Sequence, residues 1–151
     1  MNLFLLLKFL HVLCVVLAVG LNLSYGFWQA QARKNPPDLL FVLKKIRMLD
    51  RYFANTGYAG AVLTGLGMVW VGGYSLKAFW IWMSVAILAL IAILGITVYS
   101  PLLKKQIQAL EMKGIESQEY ITLESRSNQI GIGLYFLVAV ILFLMVTKVQ
   151  F

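Results

Sequence analysis

Hydrophobic residues in this chain gather in four long runs, about residues 3–25, 54–71, 78–98 and 129–147, with the charged residues held mostly between them. Each run is close to the roughly 20 residues that carry a helix across a hydrocarbon core of about 30 Å. None contains Asp or Glu. The pattern predicts an all-α integral membrane four-helix bundle forming one domain over residues 1–151, with amphipathic cytoplasmic connecting helices. Ala30-Gln31-Ala32 has the small-residue spacing of a signal cleavage site. The first run exceeds a signal core and no basic residue precedes it, so it is expected to persist as the first span.

The connections carry their own pattern. After Asn35-Pro36-Pro37, Asp38 is placed to cap a helix whose apolar positions Leu39, Val42, Leu43, Ile46 and Leu49 recur at helical spacing. Lys44, Lys45, Arg47 and Arg51 fill much of its remaining surface, the composition of a helix lying at the membrane surface against anionic headgroups before turning into the second span. These four residues form a candidate docking surface for lipid or a partner protein; a plain surface connector is the simpler alternative. Pro101 is expected to kink or end the third span. A mixed-charge helix 102–112 follows, with Gly114 as its stop and Ser117 as cap of a helix running toward the fourth span.

Composition confirms the class: 61% of the 151 residues are hydrophobic and 13% charged, too few polar residues to clothe a soluble domain. Ten of the 13 basic residues fall in connections one and three. The positive-inside rule therefore predicts cytoplasmic connections and both termini outside. The net charge of +7 lies between apolar spans without an aromatic stacking platform, so lipid rather than nucleic acid is the expected partner. The single Cys14 excludes an intramolecular disulfide.

Gly57, Gly60, Ala61, Thr64 and Gly67 put small residues on one face of the second span, where another helix backbone can approach closely. Ser84, Ala92 and Gly95 do the same on the third. Such stripes serve bundle packing and would also suit a flat ligand. Trp70, Tyr74, Phe79, Trp80 and Trp82 cluster at the outer ends of spans two and three, as interfacial anchors do.

The one histidine, His11, is the residue whose chemistry could define a function, because an ionisable group at membrane depth is costly. It lies about eight residues, roughly 12 Å, below the outer end of its span. Lys8 can snorkel outward, and Cys14, Ala18 and Asn22 continue the His11 face inward. Met68, Met83 and Met145 occupy the same outer third, so His11, Cys14 and these methionines are candidate cofactor ligands. His and Met suit haem iron, and His, Met and Cys suit copper. No C-x-x-C-H is present, so covalent haem attachment is excluded. The alternative is that the methionines are apolar filler and His11 hydrogen-bonds a backbone or hydroxyl group between helices.

Leu7-Lys8-Phe9-Leu10-His11-Val12-Leu13 with Gly20, Asp50-Arg51-Tyr52-Phe53, Thr64-Gly65, and Tyr99-Ser100-Pro101 with Gln106 resemble an uncharacterised family of bacterial predicted integral membrane proteins. That family is similar, more distantly, to the membrane domain of copper-resistance protein D and to the HemJ-type protoporphyrinogen oxidase. The resemblance implies a bacterial plasma membrane protein with His11 as an axial ligand of haem b in a redox step. Ala18 stands where those relatives have Trp, and Lys77 precedes the position of the HemJ lysine. With too few polar residues for proton coupling or hydrolysis, the other expectation is an accessory or assembly subunit, contacting other membrane protein subunits or a second copy.

Overall fold

The computed structural model describes residues 2–148, and every regular element among them is helical. Helix α1 spans Leu3–Ala32; α2, Pro36–Leu49; α3, Asn55–Val71; α4, Phe79–Leu94; α5, Ser100–Lys113; and α6, Gln118–Thr147. Local chemistry sets most ends. The Asn2 side chain accepts from Phe4 N at 3.1 Å and the Ser117 hydroxyl from Tyr120 N at 3.3 Å, satisfying amides a helix leaves orphaned. Gly114 stops α5 at φ 79°, a conformation that strains any residue with a Cβ. Helix α2 starts at Pro36, whose fixed φ and missing N–H suit a first helical position. Asp38 therefore sits in the first turn rather than at the cap.

Two expected breaks are absent. Single π-helical turns at Asp50–Ala54 and Gly95–Tyr99 join α2 to α3 and α4 to α5 without leaving helical geometry. Helix α2 thus runs on into α3 through the π turn, with no loop between them. Pro101 does not end the third long helix either. Its ring would crowd the carbonyl four residues back, and the π turn just before it shifts pairing to five residues, with Ser100 N bonded to Gly95 O.

Among the described residues three helices are long and apolar enough to cross a membrane: Leu3–Ala32, Phe79–Lys113 and Gln118–Thr147. Helix α3, of 17 residues, runs antiparallel along the first of these. A Cβ on Gly57 would lie 3.0 Å from Ala18 Cβ and from Cys14 O, one on Gly60 2.7 Å from Cys14 Sγ, and one on Gly67 3.3 Å from Leu7 Cδ1. Between apolar helices in lipid there is no hydrophobic drive, so such close approach supplies the association.

A different force holds the end carrying α2 and α5, here the basic end. Tyr25, Ala32, Leu39, Leu43, Ile46, Leu103, Ile107 and Tyr120 form a buried core there, each large side chain contributing about 1.5–3 kcal/mol on leaving water. Glu124 pairs with Arg33 at 3.0 Å, Lys44 pairs with Glu111, and Lys113 with Glu119. Elsewhere large apolar side chains face outward, Leu63 at 70% exposure and Phe136 at 69%, the surface a bilayer covers.

The resulting array is open on one side. Helix α1 packs on α3, α4 packs on α6, and α1 meets α6 lightly, but among the described residues no Cα of α3 comes within 8 Å of a Cα of α4.

Candidate functional site

The His11 face of α1 is turned onto α3. His11 Nδ1 lies 2.8 Å from Ala61 O and 3.2 Å from Thr64 Oγ1. Thr64 spends its hydroxyl proton on Gly60 O at 2.6 Å, so both neighbours of Nδ1 are acceptors and Nδ1 carries the hydrogen. In the neutral ring that leaves the lone pair on Nε2. Gly65 makes room for the ring: a Cβ there would lie 3.2 Å from His11 Cε1. One turn inward Cys14 faces Gly60, then Ala18 faces Gly57, and Asn22 Nδ2 donates to the Tyr58 hydroxyl at 2.9 Å.

The candidate ligand set is drawn from four helices, with His11 and Cys14 on α1. Met68 lies on α3, one turn beyond Thr64. Met83 lies on α4, none of whose Cα atoms comes within 8 Å of one of α1 among the described residues. Met145 lies on α6, ten residues beyond Tyr135, whose hydroxyl donates to Asn22 O. No three His, Cys, Asp or Glu side chains form a metal-holding group among the described residues. For haem, then, His11 offers one axial nitrogen with its tautomer fixed, as iron ligation requires.

The large cavity lies closer to the basic end. It has a volume of about 1120 Å³ and occupies the gap between α3 and α4, backed by α1 and α6. None of His11, Cys14, Met68, Met83 and Met145 lines it. Its walls are graded. Val19, Val62, Leu88 and Val138 line the part farthest from the basic end, Asn22, Tyr25, Tyr58, Tyr99 and Tyr135 form a polar tier, and Lys44, Arg47, Arg51, Lys104, Asp50 and Glu111 line the basic end. A few placed polar groups in an apolar cleft of this size are the usual make-up of a ligand site.

Both π turns serve this cavity. One contributes Asp50, Arg51 and Tyr52, the other Gly95, Ile96 and Tyr99. Such turns recur at functional sites because the extra residue re-aims side chains. Asp50 makes no ion pair among the described residues, and burial pushes its carboxyl above the usual range. Tyr25 is 3% exposed, with its hydroxyl buried and without a hydrogen-bond partner among the described residues.

The basic set read from the sequence divides here. Lys44, Arg47 and Arg51 line the cavity, whereas Lys45 lies over the Phe41 ring at 5.2 Å, outside it. Gly57, Gly60, Ala61, Thr64 and Gly67 all face α1. Ala92 and Gly95, read as a packing stripe, line the cavity instead. Tyr25, Tyr58 and Tyr135 escaped sequence reasoning, and Asp50 and Tyr99 entered it only within the motifs of the family resemblance, with no role assigned. The available signal was four tyrosines placed near the same end of the apolar runs.

The model of one family, described as "Predicted integral membrane protein (DUF2269)", matches residues 5–149. No curated protein and no solved structure matches the chain.

Proposed function

The chain belongs to that family of integral membrane proteins, and we propose that it is a lipid-accessible binding protein whose cleft between α3 and α4 takes an elongated amphiphile from one leaflet. One observation carries this reading. The two helices do not pack on each other, and the gap they leave is the mouth of a cavity with apolar walls at mid-depth and a polar tier at one end. An acyl or prenyl chain needs apolar walls, and its head needs hydrogen-bond donors at the depth where the chain ends. The excess of Lys and Arg at the same end supports a cytoplasmic basic end, both termini outside, and a head drawn from the inner leaflet of a bacterial plasma membrane.

A lipid with a diazirine in mid-chain tests this in reconstituted vesicles. The expected adducts fall on Ala59, Val62, Leu88 and Ala92, residues that line the cavity. Labelling confined to outward residues such as Leu63 and Phe136 would reject the reading.

A second reading, haem b on His11, is supported by the fixed tautomer at Nδ1. The cavity does not include His11, so the group would be bound apart from the cleft. Haem b would supply one-electron transfer there; the chain itself offers the His11 imidazole. A haem Soret absorption band that disappears in His11→Ala supports this reading. Colourless protein after expression with added haem rejects it.

A further inference from the structure

Building on the cleft reading, we infer that the amphiphile is a phospholipid with a net negative head, its phosphate held by Arg47, Arg51 and Lys104 with the Tyr25 hydroxyl as an additional donor. The cavity lining carries four cations and two carboxylates. Lys44 and Glu111 are paired with each other. Arg47, Arg51 and Lys104 have no carboxylate partner among the described residues, and Asp50 is the one carboxylate left to oppose them. The lining therefore keeps a positive excess that an anion would neutralise.

Arg47 and Arg51 are four residues apart, so both guanidinium groups can converge on one anion from successive turns. Guanidinium forks match phosphate oxygens in pairs and bind them more strongly than neutral donors do. The buried Tyr25 hydroxyl, unpartnered within the described residues, points to an oxygen acceptor that the chain does not supply, because leaving such a donor unsatisfied costs free energy. Tyr58 accepts from Asn22 and retains its own proton for the same purpose. The apolar walls above this tier select a lipid-borne phosphate over a free one.

Native mass spectrometry of the full chain in detergent, with phosphatidylglycerol and phosphatidylcholine added in turn, reads the inference. One phosphatidylglycerol should be retained per chain, with a preference over phosphatidylcholine on the order of tenfold. Arg47→Gln/Arg51→Gln should bring phosphatidylglycerol down to the phosphatidylcholine level, while Arg47→Lys/Arg51→Lys keeps part of the preference and Lys45→Gln leaves it intact. Circular dichroism of each variant confirms that the helices remain. Equal retention of the two lipids, unchanged in the double Gln variant, would overturn the headgroup assignment. If Ala92→Trp still abolished retention of both lipids in that event, the cleft itself would stand. Displacement of phosphatidylglycerol by inorganic phosphate alone would also overturn the inference, since it marks a site for a soluble anion.

Discussion

His11 Nδ1 and Ala61 O lie 2.8 Å apart, so the one histidine of the chain ties α1 to α3 by a hydrogen bond from imidazole to backbone. In lipid such a bond contributes about 0.6 kcal/mol on average and up to about 1.7 kcal/mol. His11→Ala should lower the unfolding free energy by an amount in that range, read by thermal or denaturant unfolding in detergent. Lipid retention in the cleft should be unchanged, because His11 does not line it.

The same helix pair predicts a contrast between two glycines. Gly57 faces Ala18 Cβ and Cys14 O at 3.0 Å from where a Cβ would stand, whereas nothing lies within 4 Å of that position at Gly20. Gly57→Ala must move backbone against backbone and should cost about 1–3 kcal/mol. Gly20→Ala should be neutral or stabilising by up to about 1 kcal/mol, the difference in helix propensity. Equal effects at the two sites would mean that α1 and α3 are not in close contact.

The sequence made the helices legible because their signals are local. Apolar runs mark residues 3–25, 78–98 and 129–147, Ser117 caps α6, and Gly114 ends α5. The joins were hidden. A π turn has no residue signature, and Pro101 reads as a break unless the geometry just before it is known. The cavity was hidden for a longer-range reason. Its lining comes from six helices and two π turns, and each residue taken singly reads as something else: Arg47 and Arg51 as a membrane-surface face, Ala92 and Gly95 as a packing stripe, Tyr99 as part of a short family motif. Only the separation of α3 from α4 makes them one site.

Asp50 predicts a pH dependence. Burial raises its carboxyl above the ordinary aspartate range in the folded protein. Between the ordinary and the raised value the folded state binds more protons than the unfolded state, so stability should fall as pH rises through that window. Asp50→Asn should remove this decline and leave the protein more stable than wild type above the window, as pH-dependent unfolding would show. A wild-type stability that instead rose with pH because of Asp50 would contradict the burial of its carboxyl.

Glu124 and Arg33 should respond unequally to mutation, although they pair at 3.0 Å. Glu124 is 8% exposed and accepts from the hydroxyl of Tyr120, which is 0% exposed. Glu124→Ala leaves that buried hydroxyl without its acceptor and should cost about 1–3 kcal/mol. Arg33 is exposed, and Arg33→Gln should cost at most about 1 kcal/mol. Denaturant unfolding of the two single variants separates these outcomes.

A density map of the protein in nanodiscs containing phosphatidylglycerol is the most direct test of the open cleft. The expected result is α3 and α4 standing apart, with tail density between Ala59 and Ala92 and head density beside Arg47 and Arg51. Helix α3 packed directly against α4, with no lipid between them, would contradict it.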